Sequence, residues 1–134
     1  MGAWGHRNFE NDPAADLADE FTDMPGEVVL LEALSVIEEI GEEGGIIEAD
    51  DASAALAAAE IVAAALGRPG PDLPQDVMAA VAQLDLGEDS ELQEMAQEAV
   101  EAMLRASELK ELMQEGADYD RWVAVQQDLL ARLQ

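Results

Sequence analysis

"EADDASAALAAAEIVAAALGRPGP", residues 48–71, decides how this chain folds. Alanine is the strongest helix former, and nothing in the run alternates as a strand would. Asp50 and Asp51 stand in the first turn, at the positive end of the helix dipole. Gly67, followed by Pro69 and Pro71, is a natural stop. The alanines permit close approach of other helices. Glu60 interrupts the apolar run, and a helical wheel surrounds it with Ser53, Leu56, Ala57, Ala63 and Ala64, while Ile61, Val62 and Leu66 lie towards the other side. The larger side chains should point to the core, which places Glu60 on the surface. The alternative is a buried Glu60 paired with Arg7 or with loop N–H groups, and in that setting it becomes a functional candidate.

The same helical spacing extends in both directions. "NDPAADLADEF" (11–21) opens a first helix, with Asp12 as acceptor for the free N–H groups and Pro13 at the first helical position. A second helix runs from near Pro25 to the Gly44–Gly45 break, with Leu30, Ala33, Leu34, Ile37 and Ile40 as its buried stripe. Only Val28–Leu31 and Ile46–Ile47 tempt a strand assignment. After the Pro- and Gly-rich loop come a short helix around Gln75–Leu84, a helix capped by Ser90 with Leu92, Met95, Ala99 and Met103 inside, and another capped by Ser107. The closing helix carries Trp122, Val125, Leu129 and Leu133 on one face. The expected fold is all-α: one compact bundle of five to seven short helices over 1–134, with residues 1–12 as an N-terminal clasp and 13–134 as the helices.

Of 134 residues, 49% are hydrophobic and 4% aromatic, enough for a core built from aliphatic side chains. The net charge is -25, from 31 acids and 6 bases. Nucleic acid and anionic membrane both require a basic footprint, so neither is an expected partner. With no cysteine, disulfides, thiol catalysis and Cys-bound metal are excluded. No secretory signal and no bilayer-spanning run is visible, since Ala52–Leu66 is broken by Glu60. The expected compartment is the cytoplasm.

The opening stretch "WGHRNFENDPAADLADEF" (4–21) gathers Trp4, Phe9 and Phe21, the single histidine His6, and Arg7. Trp4 and Phe9 are expected to plug a groove next to Tyr119 and Trp122, closing the fold as an aromatic clasp. His6, Arg7 and Glu60 form the candidate polar site. No catalytic residue is assigned, because most of the five serine and threonine residues (Thr22, Ser35, Ser53, Ser90 and Ser107) read as caps or interior positions and no nucleophile elbow occurs.

"WGHRNFENDPAAD", "ALAAAEIVAAALGRPGPDLP" and "SELKELMQEGADYDRWVAVQQDLLARL" together resemble a bacterial family known as domain of unknown function 4259 (DUF4259). The resemblance touches almost the whole chain. It implies an intact all-helical domain and no particular activity.

Two sets of acids are candidates for function. Glu91, Glu94, Glu98 and Glu101 recur at three- and four-residue spacing and form a carboxylate rail along one helix. Like charges so placed cost a few tenths of a kcal/mol per pair, which suits a surface presented to a cationic protein. Glu38, Glu39, Glu42, Glu48 and Asp51 offer Glu-x-x-Glu and Glu-x-x-Asp pairs. Such pairs resemble those of helical, Mg-dependent nucleotide pyrophosphohydrolases, although here only the Gly44–Gly45 turn separates the halves and no basic cluster follows. The reading adopted is a non-enzymatic interaction module for a cationic protein, of toxin-neutralising or DNA-mimic type, with no metal or cofactor. The alternatives are the Mg-dependent hydrolase and a domain whose acidity reflects a salt-rich cytoplasm. Oligomeric state is left open.

Overall fold

The computed structural model describes residues 8–84 and 91–134. Over these residues the chain forms α1 (Asp12–Asp23), α2 (Glu27–Glu43), α3 (Ala49–Ala65), α4 (Gln75–Val81), α5 (Leu92–Arg105), α6 (Glu108–Glu115) and α7 (Tyr119–Leu133), with no strand among them. The all-α reading holds, with Val28–Leu31 inside α2. Trp4, His6, Arg7 and the expected cap Ser90 lie outside the described residues.

The alanine-rich segment is the axis of the molecule. Every side chain from Ala55 to Ala64 is buried, and α3 packs against all six other helices. At 3.6 residues per turn, such an unbroken run leaves no face for solvent. Small side chains let the surrounding helices come close, while Leu56, Ile61 and Val62 supply volume. Around this axis the other helices are one-sided: Leu30, Leu34 and Ile37 face inwards from α2, and Ala96, Ala99, Val100 and Met103 from α5.

Caps mark the ends of α2 and α3 and the starts of α1 and α6. Gly44 takes φ 71° and Gly67 φ 88°. The N–H groups of the following Gly45 and Arg68 return to the carbonyls of Ile40 and Ala63, so both helices close in the same glycine-dependent way. The α1 cap is Asn11 instead of Asp12, because Asn11 has extended backbone and its side chain accepts from the Ala14 N–H at 2.8 Å. Ser107 caps α6 as expected, accepting from the Lys110 N–H at 3.0 Å. Glu108 then ties the starts of α6 and α3 together: its N–H donates to the Ile47 carbonyl at 2.8 Å, and its carboxylate accepts from the Ala49 N–H at 2.9 Å.

Candidate functional site

The surface position expected for Glu60 is wrong. Its side chain is completely buried, because the alanine face of α3 is covered by α7 and the 68–72 turn rather than by water. A buried carboxylate must be paired to persist. Its ionic partner among the described residues is Arg132 of α7: Nη1 donates to Oε1 at 2.8 Å and Nη2 to Oε2 at 3.2 Å, while the expected partner Arg7 lies outside those residues. Arg132 Nε also donates to Asp128 at 2.8 Å. Burial works against the charged guanidinium, but its hydrogen bonds and charge interactions with Glu60 and Asp128 prevail and hold its pKa above the ordinary arginine value.

Two buried amides complete the cluster. Asn8 Nδ2 donates to Glu60 Oε2 at 2.8 Å and to Gln126 Oε1 at 3.0 Å, and Gln126 Nε2 donates back to Asn8 Oδ1 at 2.7 Å. The N-terminal segment thus meets the last helix through an amide pair. Of the expected aromatic clasp, Phe9 is half-buried against the core, and Tyr119 stacks on Trp122 with centroids 6.2 Å apart. The turn covering the ion pair needs glycine: a Cβ at Gly70 would lie 2.9 Å from Glu60 Oε1 and 3.1 Å from Arg132 Nη1. Beside the pair is a cavity of about 260 Å³ reached by Pro71, Asp72 and Val125, and Asp72 Oδ2 is buried there in the fold without a hydrogen-bond partner. Both Glu60 oxygens are engaged, and the cluster holds three chain segments together.

Sequence reasoning missed Asn8, Gln126, Arg132 and Gly70. A signal existed for Gln126, which lies between Trp122 and Leu129 on the inward stripe of α7, where a polar residue requires a buried partner. A lone acid in an otherwise apolar helix is the complementary signal.

The carboxylate rail is on the outside. Glu91, Glu94, Glu98 and Glu101 are all exposed along α5. Glu98 and Glu101 form one wall of a groove of about 330 Å³ between α5 and α2, and Glu38 of α2 stands in the lining with them. The floor is apolar or small: Leu34, Ile37 and Gly41 from α2, and Met95, Ala99 and Ala102 from α5. Arg105 also lines it, leaving three carboxylates against one guanidinium. The second acidic set does not assemble. Glu38, Glu39 and Asp51 open onto three different grooves, Glu42 and Glu48 are exposed, and among the described residues no three His, Asp or Glu side chains are grouped to hold a metal ion. Nor, among these residues, is any helix long and apolar enough to cross a membrane.

The family model described as domain of unknown function (DUF4259) matches residues 2–125, and the chain belongs to that family. No curated protein and no solved structure matches it.

Proposed function

We propose that this DUF4259 domain is a non-enzymatic, cytoplasmic interaction module that binds a cationic protein, in the manner of a toxin-neutralising or DNA-mimicking protein. The observation that carries this reading is the α2–α5 groove, where Glu38, Glu98 and Glu101 border an apolar floor. Apolar contact supplies affinity, while the flanking carboxylates select a basic partner and steer its approach. The net charge of -25 extends that steering field over the whole molecule. The rail repels itself, and among the described residues no ion pair to Glu91, Glu94, Glu98 or Glu101 offsets the repulsion. That arrangement favours an external cation as its counterpart.

The test is affinity capture from the native host at low and high salt, comparing wild type with a variant carrying Gln at 91, 94, 98 and 101. A basic protein retained by wild type at low salt and lost from the variant is the expected result. Equal retention by both, or no basic protein at any salt, would refute it.

A further inference from the structure

Two glycines, Gly70 in the turn over the ion pair and Gly41 in the lining of the α2–α5 groove, differ in what the fold asks of them. At Gly70 a side chain would strike the buried ion pair, so the fold itself requires glycine. At Gly41 a Cβ would meet nothing within 4 Å, and the residue has no positive φ. Glycine at a helical position sacrifices helix stability relative to alanine. The folded chain shows no steric or conformational need for it there, yet Gly41 lies in the floor of the acidic α2–α5 groove.

Resting on the interaction reading above, we infer that Gly41 keeps this groove open for one lysine side chain of the partner protein, its aliphatic stem against Gly41, Ala99 and Ala102 and its ammonium among Glu38, Glu98 and Glu101. Lysine fits the chemistry of the lining. Its stem covers apolar surface while its head stays among polar groups. An ammonium has three donors free to rotate towards carboxylates on two different helices, whereas a guanidinium fork is suited to one carboxylate taken side-on. Three acids against Arg105 leave the groove with an uncompensated negative charge that a monocation reduces. A second copy of this chain is a poor occupant, since it would bring another net charge of -25 to the same rim.

The probe is N-acetyl-lysine amide, titrated into the isotopically labelled full chain and followed by amide chemical shifts. N-acetyl-norleucine amide, with a similar stem and no charge, is the control. Shifts should concentrate at residues 38–41 and 98–102, and the lysine probe should bind about tenfold more tightly than the norleucine probe. Gly41→Leu, which fills the groove without removing a charge, should abolish the local response while its unfolding midpoint stays at or above that of wild type. Shifts spread evenly over the acidic surface, or a response unchanged by Gly41→Leu, would overturn the inference. Failure here is separable from failure of the module reading: a cationic protein captured equally by wild type and Gly41→Leu removes the lysine pocket and leaves the interaction role standing.

Discussion

At the scale of single residues, the structure turns on one acid that the fold cannot expose. Glu60 is buried at the centre and Arg132 reaches it from a helix 72 positions away. Removing one half of a buried pair leaves the other charge stranded, so Arg132→Met should destabilise the protein by about 3–5 kcal/mol. Asp128→Asn, at an exposed partner of the same guanidinium, should cost no more than about 1 kcal/mol. Urea unfolding of the two variants measures the difference, and similar losses would contradict the assignment of Glu60 as the essential partner. Raising the arginine pKa keeps its charge through the accessible alkaline range, so no loss of the pair is expected on that side. The two glycines supply a prediction of opposite sign. Gly70→Ala drives a methyl group onto a carboxylate that Asn8 and Arg132 hold in place, and should cost about 1–3 kcal/mol. Gly41→Ala meets open space and should add up to about 1 kcal/mol.

At the scale of elements, α3 and the caps explain most of the architecture. Ser107 both accepts from the Lys110 N–H and donates to the Met103 carbonyl, so Ser107→Ala should lower stability by about 1–2 kcal/mol in the same unfolding assay. The course of each helix was legible because the signals are local: Gly44 and Gly67 as stops, Ser107 as a start, Leu30, Leu34 and Ile37 at helical spacing. Even the Asn11–Asp12 error is a shift of one residue between two equally good capping side chains. What surrounds α3 was not legible. A wheel ranks the faces of a helix by the size of their side chains and assumes that one of them is wet, whereas α3 has none from Ala55 to Ala64. The contacts of Glu60 join it to Asn8 across 52 residues and to Arg132 across 72, and the Asn8–Gln126 pair spans 118. No periodicity encodes such pairings. The acidic groove was half legible: the spacing of Glu98 and Glu101 gave one wall, but Glu38 joined them only once α2 packed on α5.

At the scale of the molecule, the charge of -25 works against the fold that carries it. Glu98 stands between Glu94 and Glu101 on the rail, away from the first turn of α5, so Glu98→Gln relieves both repulsions and should be more stable than wild type by about 0.5 kcal/mol in dilute buffer. The difference should shrink at high salt as screening takes over. Thermal unfolding at two ionic strengths tests this, and a less stable variant would mean that the rail serves the fold rather than a partner. Docking of a cationic protein in the α2–α5 groove can be read by carbodiimide coupling, which joins carboxylates to the lysines of a bound partner without a spacer. Cross-links to the captured partner should map to Glu38, Glu98 and Glu101 if that groove is where it docks. Cross-links confined to other acids, such as Glu32 and Glu39 on the opposite side of α2, would contradict it.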